Sequence, residues 1–273
     1  MAASALLRHF KVANVDVGIY ADKLALSETA AEVVAERINA ALTLRGEANI
    51  VLATGASQYD FLAALRARTG IEWSRVTAFH LDEYLGLAPE HPASFRRFLQ
   101  ERFFDHLQLK AVHLLAGDAP DPQAEIARYS SLLAEHPIDV ACIGIGENGH
   151  LAFNDPPADF DTQAAVLLVN LDEACRQQQV GEGHFPDLAA VPPQALSMSI
   201  PAILAARTIS CVVPDRRKAE AVRCALEGPI TPDCPASALR RHPDCKLFLD
   251  AASSSLLAPA TAEQPAERKG TTR

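Results

Sequence analysis

The sequence predicts an α/β fold built on a mostly parallel sheet with helices on both faces, and three observations point there. Short apolar runs alternate with amphipathic segments from about Val15 to Ala252, the pattern of repeated strand–helix units. With 49% hydrophobic and 22% charged residues and a mean hydropathy of +0.03, the composition is that of an ordinary globular chain able to bury a sizeable core. No uninterrupted apolar run reaches the roughly 18 to 20 residues that a membrane span needs. A length of 273 residues fits one large α/β domain or two small ones; residues 1–257 are read as a single domain with a lid.

Strands are expected at Val15 to Ile19, Asn49 to Ala53, Arg75 to Phe79, Val112 to Leu115, Ile138 to Ile143, Val166 to Val169, Thr208 to Val213 and Lys246 to Leu249. Between them, Glu28 to Leu42 repeats apolar residues at helical spacing, with Ser27 as its N-cap and Glu28 in the favourable first turn. Tyr59 to Arg68, Pro92 to Leu107, Pro122 to Ala134 and Arg217 to Leu226 also read as helices, two of them opened by a proline. The stretch from Gly149 to Pro193 is irregular, and a loop of that length inside an α/β fold is expected to act as a lid. Residues 258–273 are rich in Ala, Pro, Thr, Glu and Lys and are expected to be a disordered tail.

Several function classes are disfavoured by the bulk properties. A formal net charge of -9 argues against a broad nucleic-acid surface, which relies on clustered Lys and Arg. The segment from Met1 to His9 lacks the basic start, apolar middle and cleavage site of a signal peptide. Six cysteines, Cys142, Cys175, Cys211, Cys224, Cys234 and Cys245, show neither a CxxC pair nor zinc-finger spacing, so free thiols in a cytoplasmic protein are the simplest account. An anion bound by such an acidic chain must be met by a local site.

Four segments can carry chemistry. Val51 to Gln58 runs from an apolar strand into Thr54, Gly55, Ala56 and Ser57 just before a helix, a turn that points backbone N–H groups and hydroxyls where a phosphate can sit. A plain β-to-α turn capped by Ser57 explains the same residues. Phe79 to Tyr84 ends a strand in Asp82 and Glu83; carboxyl ends of parallel strands line the ligand crevice, which makes Asp82 a candidate base, although two solvated loop acids are the commoner outcome.

In the third segment, Ile143 to Pro156, Gly144, Gly146 and Gly149 spell GxGxxG. A dinucleotide site needs a helix to begin within that motif, whereas Asn154, Asp155, Pro156 and Pro157 interrupt the chain. The glycines instead bring His150, a proton carrier near neutrality, to the mouth of the sheet beside Asn148 and Asp155. The fourth, Asp215 to Val222, opens a helix with Lys218, which can hold an anion or be a solvated basic helix start; Arg176 is a second candidate cation on the lid.

Taken in this order, the four segments resemble the glucosamine-6-phosphate deaminases, in the family that also includes 6-phosphogluconolactonases. The resemblance spans roughly Val15 to Ala252. Asp82-Glu-Tyr84 with His91, Pro92 and Ser94 is similar to the deaminase branch, as is Gly149-His-Leu-Ala-Phe-Asn154, where lactonases carry a Gly-His-Thr-Ala-Ser-Leu type of sequence. The resemblance implies a Rossmann-like fold, a sugar phosphate as small-molecule partner, and neither cofactor nor metal. It implies no nucleic acid or membrane partner and leaves room for a homo-oligomer. Thr54, Gly55, Ala56, Ser57 and Lys218 then hold the phosphate, Asp82 moves a proton between C2 and C1 of the opened amino sugar, and His150 assists ring opening. A lactonase and a non-catalytic sugar-phosphate sensor are the alternatives.

This chain departs from the family at three places. Asn148 stands where an aspartate is usual, so His150 is expected to lose its charged neighbour, and Asn148→Asp is expected to raise the deaminase rate. Asp155 replaces a glutamate and is one methylene shorter. The lid arginine that grips phosphate has no clear counterpart in Arg176-Gln-Gln-Gln179, where Arg176 is the nearest substitute.

Overall fold

Strands buried on both faces run through the centre of the protein, and this explains why they read as unbroken apolar runs in the sequence. The computed structural model describes residues 6–181, 183 and 185–262. Its strands are β1 (Leu6–Val12), β2 (Val15–Tyr20), β3 (Ala48–Leu52), β4 (Val76–His80), β5 (Asp82–Tyr84), β6 (Ala111–His113), β7 (Val140–Ile143), β8 (Val166–Asn170), β9 (Gln194–Met198), β10 (Thr208–Val213) and β11 (Cys245–Asp250). The helices are α1 (Lys23–Arg45), α2 (Tyr59–Arg66), α3 (Phe95–Arg102), α4 (Pro122–Glu135), α5 (Glu173–Gly181), α6 (Ile200–Leu204), α7 (Ala219–Glu227) and α8 (Pro259–Ala262).

Among the described residues, eight strands form one sheet in the order β1-β2-β11-β10-β7-β3-β4-β6, parallel throughout except for β1. Alternate side chains of one strand enter different cores. Ile50 and Leu52 pack with α1 and α2, while Val51 and Ala53 pack with Tyr129 of α4 and with Ala221, Val222, Ala225 and Leu226 of α7. The expected Rossmann-like α/β architecture, with helices on both faces, is thus the observed one. Strand order changes direction between β3, whose chain proceeds to β4, and β7, whose chain proceeds towards β10; the carboxyl ends flanking such a switch form a crevice.

A second, antiparallel sheet, β5-β9-β8, stands beside that crevice. It covers a third cluster formed by Tyr84, Phe95, Phe153, Leu171, Cys175 and Phe185 with their neighbours. The strand expected at Val166 to Val169 belongs to this sheet rather than the main one. The segment from Gly149 to Pro193 is accordingly more ordered than an irregular lid, since it contains β8 and α5.

Two helix starts also differ from expectation. The α1 helix begins at Lys23, four residues before Ser27, because the Asp22 side chain accepts from Ala25 N at 2.8 Å; Ser27 is buried inside the helix. The α3 helix begins after Ser94 rather than at Pro92, and the chain past Arg102 tightens into a 3₁₀ turn. Of the tail expected over 258–273, residues 263–273 lie outside the described residues, while Pro259–Ala262 forms one helical turn. Among the described residues no helix is long and apolar enough to cross a membrane.

Candidate active site

The carboxyl ends of β3, β4, β7 and β10 converge on one pocket. After β3 the chain turns at Gly55, whose φ of +94° is a conformation that an L-residue with a side chain adopts only with strain, and enters a 3₁₀ turn over Ala56–Gln58 before α2. Thr54, Gly55, Ala56 and Ser57 all line the pocket. From the other side of the switch, a 3₁₀ turn over Arg216–Lys218 follows β10 and leads into α7. Asp215 N donates to Asp250 Oδ2 at 3.0 Å, which fixes that turn, and Lys218 lines the pocket while only 4% exposed. Lys218 thus brings a buried positive charge to the pocket wall.

Asp82 and Glu83 follow β4, and their side chains go to opposite fates because consecutive residues of a strand point to opposite faces. Glu83, fully buried, accepts from Tyr84 N, Ser94 Oγ, Phe95 N and Arg96 N at 2.7 to 3.2 Å and pairs with the Arg96 guanidinium at 3.4 Å. It therefore caps α3. Asp82, 6% exposed, lines the pocket; burial, followed by the neighbouring Glu83 charge, pushes its carboxyl well above the usual carboxylate range. His80, two residues earlier, is a structural residue: its Nε2 accepts from Leu115 N at 2.7 Å, and burial with the Arg96 charge pushes it down to about 3.

After β7, the loop from Gly144 to Asp155 folds back so that Gly146 N donates to His150 O at 2.9 Å. A Cβ on Gly146 would run into the His150 ring, so the glycine is required for the imidazole to lie where it does. His150 lines the pocket together with Asp82. The expected loss of its charged neighbour is not observed. Asp155, despite its shorter side chain, places Oδ1 3.2 Å from His150 Nδ1. Asn148 orders the pair, donating from Nδ2 to Asp155 Oδ1 at 3.1 Å and accepting His150 N on its Oδ1 at 3.0 Å. Burial works to raise the Asp155 carboxyl, but His150, Asn148 and the Asp172 N–H outweigh it and hold the group below its usual range.

The lid arginine expected at Arg176 is engaged elsewhere. Its Nη2 donates to the carbonyls of Leu188 and Val191 at 2.6 and 3.1 Å, and it is absent from the pocket lining. The α5 helix presents Gln178 and Gln179 to the pocket instead, and Gln178 Oε1 accepts from Glu147 N at 3.2 Å. Both glutamines escaped the sequence reading, because an uncharged amide in a polar run carries no signal beyond its neighbours. Phe95 and Phe153, also in the lining, were equally hidden among ordinary core aromatics. Asn148, Asp155 and Arg176 stand behind the lining rather than in it.

Comparison with known proteins agrees with this architecture. Residues 21–247 match the family described as glucosamine-6-phosphate isomerases/6-phosphogluconolactonase. A glucosamine-6-phosphate deaminase of an Exiguobacterium species is 42% identical over 204 residues, covering 75% of this chain and 78% of that protein. The Streptococcus pneumoniae (strain 70585) enzyme of the same name is 38% identical over 212 residues, covering 78% and 88% respectively. A solved monomeric glucosamine-6-phosphate deaminase superposes with a TM-score of 0.81 at 33% identity, over 88% of this chain and 99% of that one. The Trypanosoma brucei 6-phosphogluconolactonase, at 18% identity, a TM-score of 0.72 and coverage of 91% and 100%, shares the fold. This chain therefore belongs to the glucosamine-6-phosphate isomerase/6-phosphogluconolactonase family of enzymes.

Proposed function

We propose that this chain is a deaminating aldose–ketose isomerase that converts glucosamine 6-phosphate, or a related hexosamine phosphate, into the ketose phosphate and ammonia. The observation that carries the reading is a single pocket lined by Asp82 and His150 together with the Thr54–Ser57 turn and Lys218. In this proposal the phosphate rests on the turn and on Lys218, where backbone donors and a buried cation face it. Anchoring at that end aligns C1 and C2 with the proton carriers.

His150, braced by Asp155 and Asn148, helps to open the ring by moving a proton between the ring oxygen and the C1 hydroxyl. Asp82 then takes the proton from C2 and returns it to C1, leaving an imine at C2 that water hydrolyses to the ketone with release of ammonia. A shuttle of this kind must be a base in one half of the step and an acid in the next. The raised ionisation of Asp82 suits both, because it brings the group closer to the working pH. Gln178 and Gln179 face the same space and are proposed to hydrogen-bond the substrate in place of a lid cation. A cytoplasmic location belongs to the same reading, supported by six free cysteines.

The test is ammonia and ketose formation from glucosamine 6-phosphate by the purified protein, with Asp82→Asn and His150→Ala alongside. Turnover by the wild type that both variants abolish is the expected result. Equal turnover in all three proteins, or hydrolysis of 6-phosphogluconolactone in place of deamination, overturns the reading.

A further inference from the structure

Beyond the sugar-phosphate reading, we propose that His150 Nδ1, an Asp155 carboxylate oxygen and Cys175 Sγ form a binding site for one thiophilic divalent cation of the zinc type, and that an ion held there stops turnover. The three ligand atoms lie within 4.8 Å of one another. In a tetrahedral zinc site, bonds of about 2.0 Å to N or O and about 2.3 Å to S put two N/O ligands about 3.3 Å apart and an N/O and an S about 3.6 Å apart. His150 Nδ1 and Asp155 Oδ1, at 3.2 Å, already span one edge of that tetrahedron. The sulfur has to close in by about 1.2 Å at most, from 4.8 Å to about 3.6 Å, a movement within the reach of one side-chain rotation.

His150 Nδ1 is shut off from solvent and faces Asp155 Oδ1 at 3.2 Å, so an ion bound there takes the place of the ring proton shared with the carboxylate, and that proton moves to Nε2 or to solvent. The ligand set also selects among metals: a thiolate and an imidazole favour zinc or cadmium over magnesium or calcium. Asn148 Nδ2, bonded to Asp155 Oδ1 at 3.1 Å, supplies the outer support that a ligating carboxylate requires.

Cys175 belongs to α5, whereas His150 and Asp155 belong to the loop after β7, so the ion bridges the two. On binding, the zinc–sulfur bond replaces the S–H bond and the thiol proton leaves to solvent; no electron changes hands. Three protein ligands leave a fourth position for water. With the metal on Nδ1 and Asp155, the carboxylate no longer braces the imidazole for proton transfer, and this is how turnover is suppressed.

Equilibrium dialysis of zinc alone against the wild type, Cys175→Ala and Cys175→Ser tests the site without any substrate, so its failure is separate from failure of the deaminase reading. The five other cysteines are unchanged in both variants. The wild type is expected to bind one zinc ion at least about tenfold more tightly than either variant, and cobalt(II) in its place to give a thiolate charge-transfer absorption that both variants lack. Zinc should inhibit wild-type turnover, reversibly on addition of a chelator, and leave Cys175→Ser insensitive. The serine variant keeps the shape of the buried side chain should the alanine variant fold poorly. Equal zinc affinity in all three proteins, or a cobalt spectrum indifferent to position 175, overturns the proposal.

Discussion

The edge of the pocket after β4 and the loop after β7 each supply a carboxylate, and they treat it in opposite ways. Asp82 sits bare in a buried wall next to a second acid, so its neutral form is favoured. Asp155 is surrounded by an imidazole, an amide N–H and a backbone N–H, so its charged form is favoured. On the proposed mechanism the difference separates two jobs: Asp82, the proton shuttle, is shifted towards its neutral form, while Asp155, which orients the histidine, is kept charged. Glu83 sharpens the contrast, since one residue along the same strand a carboxylate is committed wholly to capping a helix.

The largest effect is expected at the bare side. Asp82→Asn should lower kcat for ketose formation by about 10²- to 10⁴-fold. The same variant should be more stable than the wild type at neutral pH. A carboxyl raised on folding binds its proton more tightly in the native state, so the contribution of Asp82 to stability falls as pH rises from the ordinary carboxylate value towards the raised one. Thermal melts of both proteins across that range measure this, and parallel curves would break the comparison.

Glu83→Ala should do the reverse, losing on the order of 3 kcal/mol of stability because Ser94 Oγ and the buried N–H groups at the start of α3 lose their charged acceptor, although Arg96 keeps Asp118 and the Leu87 carbonyl. Denaturant titration measures that loss. Asp155→Asn is expected to reduce kcat by about 10- to 100-fold, as for a group that orients another. Its stability slope has the opposite sign to that of Asp82: a carboxyl lowered on folding stabilises above its unfolded value, and that contribution is lost as pH falls through the lowered one.

The smallest effect is at position 148. From the sequence, an aspartate there looked like a gain, but the Asn148 amide N–H faces the Asp155 carboxylate at 3.1 Å. Asn148→Asp replaces that donor with a second negative charge, so the rate is now expected to fall about severalfold rather than rise. A steady-state assay at neutral pH decides the sign.

Much of this was legible in the residues for definite reasons. Eight strands were found because each carries a short apolar run, unbroken where both faces are buried as in β3, β4, β7 and β10, and the ends of these four carried the motifs. The β1 strand was missed because it lies at the sheet edge with all but one of its side chains exposed or half-buried, so its sequence shows no apolar run. The β5 and β9 strands are short pieces of a side sheet whose pairing is non-local. At the site, Asp82, His150, Thr54–Ser57 and Lys218 stand at strand ends, and the family resemblance is what grouped them and gave them roles. The His150–Asp155 contact and the tether of Arg176 to two carbonyls depend on how the loop after β7 and α5 pack, which no spacing in the sequence encodes.

On the proposed reading, the pocket takes the turn and lysine that hold phosphate from the ends of β3 and β10, and its proton carriers from the ends of β4 and β7. Each contributor arrives on a separate connection from a rigid platform. Descendants of such a scaffold can exchange the reacting half while inheriting the handle by which the metabolite is held, so new chemistries can arise without the need to evolve recognition afresh.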